Sequence, residues 1–177
     1  MSDFTRLMEA EIPRLRRYAR ALTRNNEQAG DDLVQECLCR ALAKKHLWAE
    51  GTDLRAWLFT IMHNQFVNVV RRGVREGTPV HISDAELPLT RAASQDHRLE
   101  LRDLNRALAV LPEEQRSVIL LIGLEGMAYE TAAEVLGVPV GTIRSRLSRG
   151  RAELRKLMGM VPDDQADARM ARSLKAA

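Results

Sequence analysis

Outside residues 73–96, nearly the whole chain carries apolar residues three and four apart, the spacing that gives a helix one buried stripe. Residues 3–24 align Leu7, Ile12, Leu15, Tyr18, Ala19 and Leu22, with arginines opposite, and Asn25-Asn26 supply a break and a cap. A second helix over about 27–45 groups Leu33, Val34, Cys37, Leu38, Ala41 and Leu42. His46 to Asp53 reads as a loop, and Thr52 or Asp53 caps a third helix over about 54–72. In the second half, a helix over about 97–110 leads to Leu111-Pro112-Glu113-Glu114. There proline suits the first helical position, and the two glutamates complement the positive end of the helix dipole. Gly123 and Gly126 end that helix, and Ala128 to Met158 reads as a short helix, a tight turn and a long helix. The interval 73–96 contains Gly73, Gly77, Pro79 and Pro88 without sustained periodicity, as a linker does. Its 24 residues reach at most about 80 Å. The expected architecture is therefore all-α: two small helical domains, 1–72 and 97–160, joined by a flexible linker over 73–96 and followed by a frayed tail over 161–177.

Composition narrows the function classes. The chain is 45% hydrophobic and 29% charged, as a globular protein is, and its 4% aromatic content argues against an all-β fold. No apolar run reaches the roughly 18 residues that span a bilayer; Val118 to Ile122 stops at Gly123. The first residues, MSDFTRLMEAE, lack the basic start and apolar stretch of a signal peptide, so a cytoplasmic location and no membrane insertion are expected. Cys37 and Cys39 do not share a helix face and read as small packing residues. His46, His63, His81 and His97 match no zinc spacing, and no phosphate-loop, dinucleotide or hydrolase motif is present. Neither catalytic residues, nor a metal, nor a cofactor is expected; the chain reads as a non-enzyme.

Charge and aromatics are unevenly placed. Residues 140–160 hold six bases and a single acid, Glu153, whereas 97–139 hold four bases and seven acids. A helix that concentrates positive charge is the footprint of a nucleic-acid contact. Ala133 followed four residues later by Gly137 is the grammar of a helix-turn-helix, with Leu136, Val138, Ile143 and Leu147 as its apolar lock. In the second helix Ile143, Leu147, Leu154 and Met158 form one stripe. The opposite surface carries Arg144, Ser145, Ser148, Arg149 and Arg151, placed to read base edges in a major groove. Thr142 and Arg146 stand where phosphate contacts are made. The bland alternative is a solvated basic face.

Six of the seven aromatics precede residue 73; only Tyr129 follows it. On the third helix Trp57, Thr60, Asn64, Asn68 and Arg71 fall on one side, with Trp48 in the preceding loop. Amides and guanidinium groups beside aromatic faces suit unstacked single-stranded bases. Alternatively Trp57 is core, Arg71 and Arg72 balance the helix dipole, and Trp48 plugs the end of the bundle.

The stretches DDLVQECLCRALAK, LRAWLFTIMHNQFVNVVRR, LPEEQRSVILL and GVPVGTIRSRLSRGRAELRK resemble, in order, the signature segments of extracytoplasmic-function (ECF) sigma factors of the sigma-70 family, which have only regions 2 and 4. The resemblance covers about residues 5–72 and 97–158. It implies that 1–72 is region 2, binding core RNA polymerase and melting the −10 element, and that 97–160 is region 4, reading the −35 element. It also implies that Asp32, Gln35 and Glu36 meet the β′ clamp helices, and that region 4 meets the β flap. Asn64 and Trp48 would wall the pocket for a flipped −10 base, with Asn68, Arg71 and Arg72 beside them. Thr142, Arg144, Ser145, Arg146, Ser148, Arg149 and Arg151 would read the −35 duplex. Promoter DNA, core polymerase and an anti-sigma protein are the implied partners, and the linker would thread the polymerase cleft. The third helix departs from the family at Asn68-Val69, where an Asp-Tyr-type pair is usual.

A sigma mimic, which titrates an anti-sigma protein without reading DNA, shares the fold, but Arg144 and Arg149 would be idle in it. An ordinary repressor would leave the aromatic N-terminal block unused.

Overall fold

The computed structural model describes residues 3–77 and 95–160, and every regular element among them is helical. In the N-terminal unit α1 spans Asp3–Leu22, α2 Glu27–Ala43 and α3 Leu54–Glu76, with a single 3₁₀ turn at Lys45–Leu47. In the C-terminal unit α4 spans Gln95–Val110, α5 Glu113–Ile119, α6 Tyr129–Leu136 and α7 Val140–Leu157. Caps set the boundaries. The Asn26 side chain accepts from the Ala29 N–H at 2.9 Å, and Asp53 accepts from Ala56 at 3.0 Å. Gly77 takes the left-handed conformation that closes α3. Helix α3 thus runs one turn beyond residue 72, where the linker was expected to begin. The rest of that interval, 78–94, and the expected tail lie outside the described residues.

Helices α1, α2 and α3 pack around Leu15, Tyr18, Leu22, Cys37, Leu58, Phe59 and Met62, all buried. Burying a leucine of this kind contributes about 1.5–3 kcal/mol. Cys37 is the packing residue expected, and burial pushes its thiol up to about 12. Cys39 instead faces solvent. Leu7 and Leu42, placed by their spacing on the buried stripes, are exposed as well.

The C-terminal unit differs from its expected form in the stretch after α5. Gly123 does not stop the helix; Leu120–Leu124 widens into a π turn, in which the Glu125 N–H donates to the Leu120 carbonyl. Gly126 then turns left-handed and releases the chain toward α6. The helix-turn-helix follows as expected. Ala133 is buried, Gly137 sits at φ 63° in the turn, and Ile143 and Leu147 are buried beneath α7, while Leu154 and Met158 are half-buried. Helix α7 crosses α5 closely because Gly150 lies at the crossing. A Cβ there would stand 2.7 Å from Ile119 Cδ1 and 3.2 Å from Gln115 Cβ.

The two units are packed against each other. Helix α3 lies on α6, and α1 touches α4, α5 and the π turn. Their buried residues form one continuous apolar cluster.

Candidate nucleic-acid interface

On α7, Ser148 and Arg149 are exposed, and Thr142, Arg144, Ser145 and Arg151 are half-buried. Arg149 is steered by its own helix: its Nε donates to the Ser145 carbonyl and its Nη2 to Ser145 Oγ, each at 3.3 Å. Ser145 Oγ in turn donates to the Thr142 carbonyl at 3.1 Å. The guanidinium is thus held along the helix surface with donors left for an incoming acceptor. Arg146 points elsewhere. It pairs with Glu114 of α5 at 2.9 Å and lines the cleft between the units.

That cleft, about 540 Å³, brings the expected single-strand residues together. Asn64, Asn68 and Arg71 of α3 form one wall with His63, and Glu113, Glu114, Ser117, Leu136, Val138 and Arg146 form the other. Arg72 is exposed but does not line it. Burial, and then the Arg146 guanidinium, hold the His63 imidazole down at about 4, so it is neutral. Burial raises the Glu113 carboxyl, against the pull of Arg116.

Trp48 is not in this cleft. Half-buried, its ring lies 5.5 Å from Phe4, whose edge meets Trp57 at 6.2 Å. It lines a separate cavity of about 370 Å³ with Leu7, Glu11, Glu50 to Arg55. The structure therefore places Trp48 and Asn64 in different hollows, and Trp57 packs against Phe4 as the core reading of it allowed. Asp32, Gln35 and Glu36 are all exposed on α2, and Glu36 holds Arg40 at 2.7 Å.

A group that the sequence reading passed over lies at the junction of the two units. Glu125, its side chain fully buried, is held by two arginines of the N-terminal unit. Arg17 of α1 reaches Oε1 at 2.9 Å through Nη2 and 3.0 Å through Nε. Arg55 of α3 reaches Oε2 at 3.2 Å and also donates to the Glu125 backbone carbonyl. The signal available was a lone acid in the apolar run Val118 to Met127; its partners are 70 and 108 residues away and carry no local pattern.

Among the described residues, no group of three or more His, Cys, Asp or Glu side chains could hold a metal ion, and no helix is long and apolar enough to cross a membrane.

Two family models match the chain: the Sigma2 domain of PhyR over residues 8–63, and Sigma-70 region 4 over residues 101–154. The chain is 42% identical to the ECF RNA polymerase sigma factor EcfG of Rhodopseudomonas palustris, over 84% of this chain and 81% of that one. Among solved structures it is similar to the sigma factor RpoE of Bartonella quintana in complex with the anti-sigma factor NepR. That match has a TM-score of 0.79 and 36% identity, over 92% of this chain and 100% of that one. It is also similar to CnrH in complex with the cytosolic domain of CnrY, with a TM-score of 0.66 and 28% identity, over 88% and 87% of the two chains. With an arginine-bearing helix-turn-helix behind an amide-faced three-helix unit, and with this identity over most of its length, the chain belongs to the ECF sigma factors.

Proposed function

We propose that this ECF sigma factor gives core RNA polymerase its promoter choice from the cytoplasm, as a non-enzymatic subunit. The observation that carries the reading is the pair of faces on α3 and α7. Exposed asparagine amides and an arginine lie on one helix, and a row of arginines, with Arg149 steered by Ser145, lies on a helix-turn-helix. In the division of labour proposed, residues 1–72 bind core enzyme and the −10 element, and 97–160 bind the −35 element. Arg144, Ser145, Ser148, Arg149 and Arg151 meet the −35 duplex, where arginine forks suit guanine edges and hydroxyls suit bases or phosphates. Thr142 supports them from the first turn of α7. Asn64 and Asn68 hydrogen-bond bases of the melted −10 strand while Arg71 and Arg72 meet its phosphates. Trp48, in its separate hollow beside the start of α3, is the aromatic offered to an unstacked base. Asp32, Gln35 and Glu36 are the polar contacts to the β′ clamp helices, and the β flap takes the C-terminal unit.

An anti-sigma protein is the expected inhibitory partner, since RpoE of Bartonella quintana and CnrH are both seen with one. A sigma mimic is the second reading, because the N-terminal unit matches the Sigma2 domain of PhyR. Transcription in vitro separates the two. Core polymerase on a pool of genomic fragments should gain discrete start sites when this protein is added; unchanged start-site choice overturns the proposal.

A further inference from the structure

The two faces assigned above cannot both be on promoter DNA in the arrangement observed. The −35 and −10 elements are separated by about two helical turns, at ~34 Å per turn. Yet Asn64, Asn68 and Arg71 share one 540 Å³ cleft with Arg146 of the recognition helix. The far wall of that cleft carries Glu113 and Glu114, the latter paired with Arg146 at 2.9 Å. The observed form is closed, and the −10 face, exposed at Asn64, Asn68 and Arg71, forms one wall of the cleft between the units.

One polar contact spans the junction where the closed form is most deeply buried. Glu125 is projected by the π turn, with both oxygens occupied by Arg17 and Arg55 and no exposure to solvent. A buried carboxylate with two guanidinium partners is satisfied only while all three stay together, and separating the units leaves each group to water. The Tyr18 hydroxyl of α1 lies beside Ser117 of α5 at the same junction, and the Glu125 contact weighs on the side of closure.

The geometry points to a latch: Glu125, Arg17 and Arg55 hold the free protein closed with its −10 face against the C-terminal unit, and their separation precedes promoter engagement. This inference rests on the sigma-factor reading for its consequence, though not for the latch itself.

Small-angle scattering of the full chain tests the latch directly. The wild-type protein should scatter as the closed form. Glu125→Gln and the Arg17→Gln/Arg55→Gln pair should shift to a larger radius of gyration, with helical circular dichroism unchanged. Because Arg17 is half-exposed, Arg17→Gln alone serves where a buried substitution impairs folding, and it should shift in the same direction. A wild-type chain already extended, or folded latch variants with the wild-type radius, would overturn the inference. In a parallel assay, the latch variants should associate with core polymerase faster than wild type, and equal rates would remove the latch from the initiation pathway. If no form of the protein binds polymerase, the proposed function falls while the scattering result stands by itself.

Discussion

Helix α7 presents Ser148 and Arg149 to open solvent, whereas Asn64, Asn68 and Arg71 of α3, exposed as well, line a cleft whose other wall carries Glu113, Glu114 and Arg146. The two helices carry comparable polar side chains, so their neighbours make the difference. Helix α7 lies over α5 through Gly150, with Ser148 and Arg149 on its exposed side. Helix α3 is crossed by α6, and its N-terminal turn is tied to the C-terminal unit through Arg55 and Glu125. In the closed form the C-terminal unit stands across a cleft from the α3 face.

The contrast can be broken most strongly at Glu125. Replacing it by alanine leaves Arg17, half-exposed, and Arg55, still near Glu11, without their shared carboxylate, and losing such a charge-assisted contact costs on the order of 1.5–3 kcal/mol. Amide exchange along residues 63–71 should accelerate as the C-terminal unit moves away from α3; unchanged protection would mean that the contact is incidental. Arg149→Ala acts on the other side of the comparison. It should weaken binding to a −35 duplex by about 1–3 kcal/mol and leave the scattering profile untouched. Equal affinities for promoter and random duplex in both proteins would remove Arg149 from the reading set. Away from both faces, Gln35→Ala and Glu36→Ala should each weaken core polymerase binding by roughly 0.5–1.5 kcal/mol, seen as earlier loss of the complex in a salt titration. Retention identical to wild type would contradict the α2 assignment.

A further effect concerns acidity. His63 shares the cleft with Arg146, Arg71, Glu113 and Glu114, and its imidazole is held at about 4 against an ordinary 6.5. A histidine depressed in the native form contributes stability that is complete above 6.5 and is lost as pH falls toward 4. The closed form should therefore loosen across that window. His63→Gln should flatten the dependence, and a profile unaltered by the substitution would assign it to other groups.

Much of this was legible locally. Asn26 and Asp53 cap the helices their positions announced, and Gly137 turns where the helix-turn-helix requires. Ala133, Ile143 and Leu147 are buried as their spacing demanded. Other features were not legible, because they depend on partners distant in sequence. Arg146, expected as a phosphate contact, pairs in the fold with Glu114, a partner its own stretch does not announce. Gly123 looks like a helix stop, but backbone hydrogen bonds one residue longer carry the chain past it. Leu7 and Leu42 fit the period of a buried stripe yet lie where no neighbouring element covers them. The junction at Glu125 is the clearest case, since nothing near it in the chain names Arg17 or Arg55.

The central claim is that two helices divide the work, α7 holding duplex and α3 holding the melted strand. Permanganate reactivity of −10 thymines, measured beside a −35 footprint on one promoter with core enzyme, tests it most directly. Asn64→Ala should keep the −35 footprint and melt the −10 region more slowly than wild type. Equal melting in the two proteins, or loss of the −35 footprint in the variant, would contradict that division.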